Sequence, residues 1–135
     1  MQETYTSLTG RWMGRFEYDR GGVASSFEAE ITETGTALDG DTTEPNNFRK
    51  DMGSELTATL TGSRADGHVS FVKRYNGFDQ GDLLLYDGTV NAALSRIEGR
   101  WRFSAQPGWG GRFVMFRKAQ SKAKAKTKAT VDIEV

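Results

Sequence analysis

A chain of 135 residues is one domain by length, and it is long enough to bury a core. With no Cys and a single His, it cannot build a disulfide framework or a thiolate metal site, and it is short of ligands for zinc or for His-based catalysis. The formal net charge is zero, and no apolar run approaches a signal segment or a membrane span. The expectation is a soluble, cytoplasmic protein with no membrane partner and no cofactor.

Alternation of apolar and polar residues dominates, and long segments of helical period are absent. A first strand over about 7–18 puts Leu8, Trp12, Phe16 and Tyr18 on one face. Asp19-Arg20-Gly21-Gly22 then turns the chain into a second strand, about 23–33, with Phe27, Ala29 and Ile31 facing in and Glu28 and Glu30 facing out. Gly35 closes a tight turn because it takes positive φ without a Cβ clash. The third strand covers about 37–43. A longer loop, 44–53, leads to a fourth strand with Leu56, Ala58 and Leu60 facing in.

Asp66-Gly67 signals a hairpin into a fifth strand, His68 to Tyr75, followed by a loop over 76–82. The sixth strand covers about 83–90. The seventh carries Ile97, Trp101 and Phe103 on its inner face. A loop from Ala105 to Gly111 holds Trp109, and the eighth strand ends at Arg117. These elements predict an all-β fold: an eight-stranded antiparallel up-and-down barrel over residues 1–117. Closure removes the edge strands, and eight strands leave an interior that is either filled or holds one small ligand.

Residues 1–117 carry 13 Lys/Arg and 16 Asp/Glu, whereas residues 118–135 carry five Lys and two acids. The domain is mildly acidic, so a nucleic-acid partner is not expected. The basic, low-complexity tail, 118–135, has too little hydrophobicity to offset the cost of ordering.

Leu8-Thr9-Gly10-Arg11-Trp12 at the start and Phe113-Val114-Met115-Phe116-Arg117 at the end resemble the calycin group of small β-barrels, which includes lipocalins, fatty-acid-binding proteins and avidins. In those families the Trp plugs the closed end and the Arg packs across it. A guanidinium over an indole is worth roughly 0.5–2 kcal/mol. Ser7 to Trp12 and Ile97-Glu98-Gly99-Arg100-Trp101 are similar to the first and seventh strands of avidins. The biotin-contact pattern is absent: Gly14, Asp41-Thr42-Thr43, and Phe71 with Lys73 stand where its polar and Trp contacts would be, and only Trp101 carries over. The resemblance therefore implies a calycin-like barrel with a binding cavity, and it does not name the ligand.

Strand direction sorts the connections. The tight turns share one end with Trp12 and Arg117. The longer loops share the other, which is the expected mouth, lined by Tyr18, Glu44, Phe48, Tyr75, Phe78, Phe103 and Trp109, with Arg49, Lys50 and Arg74 nearby. Phe71, Lys73, Tyr86 and Trp101 complete the candidate ligand-binding set. Aromatics with a few polar groups at a barrel mouth suit a small-molecule ligand. Lys73 shares parity with Val69, Phe71 and Tyr75, so it is either buried and in need of an acidic or anionic partner, or snorkelled to the rim. His68 falls beside a turn at the closed end. Asp39 and Asp41 read as solvated outer-face carboxylates. Trp109, flanked by glycines, reads as a cap or a lid over Trp101 and Phe103.

The expected function is non-catalytic binding of a small apolar or amphipathic molecule in the barrel. One alternative is a small calycin-type enzyme of the decarboxylase or cyclase class, with Tyr75, Lys73 and Glu44 as acid–base groups. Another is a filled barrel acting through its surface. Met13, Val114 and Phe116 face outward on the expected first and last strands, a patch that predicts a homo-oligomer.

Overall fold

The computed structural model describes residues 5–22, 24–46, 53–77, 83–106 and 108–117. Eight strands follow one another: β1 (Gly10–Phe16), β2 (Ser25–Thr34), β3 (Ala37–Pro45), β4 (Glu55–Ala65), β5 (His68–Tyr75), β6 (Leu84–Val90), β7 (Arg96–Phe103) and β8 (Gly110–Arg117). Each pairs antiparallel with its neighbour in sequence, and β1 pairs with β8, so the sheet closes into a barrel. No helix occurs among the described residues, hence none long and apolar enough to cross a membrane. Phe48, Phe78, Arg49, Lys50 and the tail 118–135 lie outside the described residues.

The alternation in the sequence becomes the inside and outside of the barrel. Trp12 and Phe16, Phe27 to Ile31, Leu56 to Leu60, Val69 to Tyr75, Ile97 and Trp101 all point inward on their alternate positions and are buried. Strand ends differ from expectation by a few residues. β1 is shorter at both ends, although its pairing with β8 persists past Phe16 through Glu17 N–H to Arg112 O (3.0 Å) and Asp19 N–H to Gly110 O (2.9 Å). β3 runs on to Pro45, which carries Glu44 into the strand. Phe103, at the end of β7, is only half-buried.

Closure is locked at the tight-turn end. Trp12 is fully buried and its indole N–H donates to Leu8 O at 3.0 Å. Arg117, its cross-strand partner, lies over the indole at 4.6 Å and over the Tyr5 ring at 4.0 Å. The same guanidinium donates to Leu94 O (3.0 Å), Thr9 O (2.7 Å) and Ser7 O. One cation thus ties the segment before β1 to the β6–β7 turn. Leu94 takes a φ of 56°, unfavourable for a branched residue; its side chain packs against the core and Asn91 O accepts its N–H. Glu33 supports the same end by accepting from Leu8 N–H and Arg64 Nε, both at 2.8 Å. Burial alone would raise its pKa, but the bonds from Arg64 and Leu8 and the charges of Arg64 and Arg117 outweigh it and lower it.

Space inside is apportioned by glycine at one decisive position. A Cβ on Gly14 would sit 2.2 Å from the Phe27 ring, its cross-strand neighbour. Phe27 therefore lies flat across β1 and fills the interior beside it.

Replacing Arg117 by Ala removes the cation–π contacts and three charge-assisted hydrogen bonds together. The expected cost is roughly 1–3 kcal/mol, more than an ordinary surface change. Chemical denaturation reads it directly, and a variant as stable as the parent would refute this account of closure.

Candidate functional site

The apolar and polar interiors are segregated along the barrel axis. Leu8, Trp12, Ile31, Leu38, Val69, Val90, Ile97 and Met115 fill the closed half. The half nearer the long loops contains buried polar side chains. Glu44 sits at the loop end of β3, Lys73 and Tyr75 at the loop end of β5, and Tyr86 near the start of β6. Thr42 lies two residues before Glu44, on the same inner face.

Lys73 Nζ donates to Glu44 Oε1 at 2.6 Å, and Tyr75 O–H donates to Glu44 Oε2 at 2.8 Å. The pair is sealed, with the Lys73 side chain 0% and the Glu44 side chain 2% exposed. Aromatic rings surround the ammonium: its nitrogen is 4.8 Å from the Phe27 centroid, 5.0 Å from Tyr75, 5.2 Å from Phe16 and 5.9 Å from Tyr86. Burial pushes the Lys73 pKa down, against the charge and hydrogen bond of Glu44. Burial, and then the Glu44 charge, raises the pKa of Tyr75, Tyr86 and Tyr18, so all three phenols keep their proton. The Tyr86 and Thr42 hydroxyls are buried without a hydrogen-bond partner among the described residues.

Trp101 organises the layer between this cluster and the mouth. Its ring packs edge-on against Tyr18 (5.0 Å), Phe103 (5.5 Å) and Phe16 (5.6 Å), and stacks on Tyr86 at 6.4 Å. Its N–H donates to Glu17 O at 3.1 Å. Tyr18 and Phe103 are half-buried and form the outer edge of the layer. Phe71, paired with Tyr86 across β5 and β6, is buried behind it.

Of the nine candidate residues, Glu44, Lys73, Tyr75 and Tyr86 come together around the ammonium, and Tyr18, Trp101 and Phe103 pack above them. Trp109 meets this layer through its backbone, its carbonyl accepting from Phe103 N–H at 3.1 Å. It is 40% exposed, and its ring lies 4.2 Å from the Arg20 guanidinium. Arg74 is exposed, and His68 is exposed and 2.7 Å from Asp87 at the closed end. Asp39 and Asp41 are exposed, and no group of described His, Asp or Glu residues is placed to hold a metal ion. Sequence reasoning missed Thr42, Phe16 and Phe27 as parts of the site. Counting alternate residues from Leu38 through Gly40 reaches Thr42 and then Glu44; that parity was the available signal.

The outer wall offers a different kind of surface. A groove of about 390 Å³ there is lined by Arg15, Arg96, Glu98, Arg100 and Arg112. Arg96 is 2.9 Å from Glu98, and Arg100 pairs with Asp19. The interior cluster, where charge is buried and hydroxyls lack partners, is the stronger candidate. No family model and no characterised protein matches the chain.

Removing one member of the pair leaves the other buried and uncompensated. Lys73→Met is expected to cost roughly 3–5 kcal/mol, and adding Glu44→Gln, which still accepts from Tyr75, to recover most of it. Urea denaturation of the two variants checks this, and a double variant no more stable than the single would show that the pair is not coupled.

Proposed function

We propose that this protein is a calycin-like barrel that binds a small amphipathic molecule without catalysis, in the half of the interior nearer the long loops. The observation that carries the reading is the sealed Lys73–Glu44 pair at 2.6 Å, beside the unpartnered Tyr86 and Thr42 hydroxyls. A barrel needing only stability gains little from such a cluster. Replacing a buried ion pair by apolar side chains is often neutral or stabilising, and a buried hydroxyl without a partner costs roughly 1–3 kcal/mol. A ligand with a polar end would meet those hydroxyls, while its apolar body would lie against Phe16, Phe27, Phe71 and Trp101. Entry requires the outer layer of Tyr18 and Phe103 to move, and these are the least buried members of the aromatic set.

The native full chain should therefore take up an apolar dye such as ANS, with a change in Trp emission because Trp101 lies in the layer displaced. Native mass spectrometry of protein from its own host should show a bound small molecule. A chain that takes up no apolar probe and carries no ligand would overturn the reading. The dense interior, with the core side chains from Trp12 to Met115 at most 9% exposed, would then favour a filled barrel acting through its outer wall.

A second proposal concerns association. Met13 and Phe116 are cross-strand partners on the outer face, 37% and 43% exposed, with Val114 half-buried beside them. Arg96 covers part of this patch, its guanidinium 4.8 Å from the Phe116 ring. The patch suits a second copy of the chain. Sedimentation at micromolar concentration should show a species larger than the monomer, lost in Phe116→Glu; a monomer alone would remove the idea.

A further inference from the structure

The cluster around Lys73 restricts what the polar end of a ligand can be. Glu44 already neutralises Lys73, so the site is balanced before anything binds. A carboxylate or phosphate head would add a second buried negative charge beside Glu44, and an ammonium head would face Lys73 itself. Either charge would be taken out of water without a free counter-ion among the described interior residues. What the interior does offer is donors. The Tyr86 phenol holds its proton and has no acceptor among the described residues, and its ring centroid is 5.9 Å from Lys73 Nζ. The Thr42 hydroxyl is a second such group. A neutral oxygen acceptor fits this set.

Resting on the binding reading above, we propose that the ligand is an uncharged carbonyl amphiphile, and that Lys73 captures its aldehyde form as an iminium with Glu44 as the counter-charge. A buried Lys in an aromatic box is suited to this chemistry, because desolvation favours the neutral amine that must attack. Lys73 passes a proton to Glu44 across their hydrogen bond. The amine lone pair then forms a C–N bond to the carbonyl carbon, and the oxygen receives a proton from the nitrogen to give a carbinolamine. The C–O bond breaks as Glu44 returns its proton, and water leaves. Net, ammonium and aldehyde become iminium and water, with no oxidant or reductant. The positive charge on Lys73 and the negative charge on Glu44 both survive, so the buried pair is never left unbalanced. A ketone or alcohol of the same shape is held without the bond.

Decanal, decanol and decanoic acid, added separately to the full-length protein, test this. Trp emission reports binding, and cyanoborohydride with peptide mapping locates any trapped imine. The expected result is one adduct per chain on Lys73, ahead of the tail lysines such as Lys122 and Lys124, with decanol competing and decanoic acid binding more weakly. Lys73→Arg should lose that adduct; if the variant does not fold, the competition in the parent protein decides. Adducts confined to Lys50 and the tail, or decanoic acid as the tightest of the three, would overturn the carbonyl assignment while leaving the binding reading intact. No emission change with any of the three would instead remove the binding reading beneath it.

Discussion

Closure of β1 onto β8 is the constraint from which the rest follows. In an open sheet an awkward residue at one face can be relieved by twisting or slipping an edge strand. In a closed barrel the register of every strand is fixed by both neighbours, and a slip by one residue would turn a whole strand inside out. Arg117 and Trp12 hold the joint from one end. Lys73 then has no choice of side. Its parity with Val69, Phe71 and Tyr75 sends it inward, and its depth keeps the ammonium from reaching water. Glu44 is forced inward by the same logic on β3.

The consequence is a polar cluster whose stability and whose chemistry pull in different directions. The ion pair, the Tyr75 bond and the surrounding rings satisfy Lys73 and Glu44, but desolvation of two charges offsets most of what they gain. Tyr86 and Thr42 add two buried hydroxyls without partners among the described residues. This cost is confined to the half of the barrel nearer the long loops. The closed half, lined by Leu, Ile, Val, Trp and Met, has no buried hydroxyl without a partner among the described residues. Stability and site are thus divided along one axis, with the Trp12–Arg117 joint anchoring the end where no ligand group is needed.

Much of this was legible in the residues. Strands such as Phe27–Glu28–Ala29–Glu30–Ile31 and Leu56–Thr57–Ala58–Thr59–Leu60 alternate so strictly that their inner faces could be read directly, and the Gly-x-Trp and final Arg pointed to closure. The middle of β3 was harder. Asp39-Gly40-Asp41-Thr42-Thr43 has no apolar residue to mark its inner face, so Thr42 went unnoticed, and Glu44 was placed in the loop and not in the strand. Lys73 was ambiguous for a related reason: a lysine on an inner face can snorkel, and only the position of its partner on β3, two strands away, settles that it does not. The direction of Trp109 was not legible: expected over Trp101 and Phe103, it accepts from Phe103 N–H through its carbonyl, and its ring lies at the Arg20 guanidinium. A Gly-flanked loop does not fix the direction of its side chain, and here Arg20, on the adjacent β1–β2 connection, draws the ring to itself.

Small residues determine where the charged pair can sit. Gly14 leaves β1 without a side chain where Phe27 crosses it, and the Phe27 ring occupies that space. That ring is the nearest of the four around Lys73, at 4.8 Å. A larger residue at 14 would displace Phe27 toward the barrel axis and into the ammonium. The depth of the Lys73 pocket is therefore set on a strand that contributes no polar group to it. Above the pocket, Trp101 is held by its bond to Glu17 O, whereas the Tyr18 and Phe103 rings pack edge-on against it and are only half-buried. The wall of the site is thus the better anchored part, and its outer edge, at Tyr18 and Phe103, is the part least committed to the core.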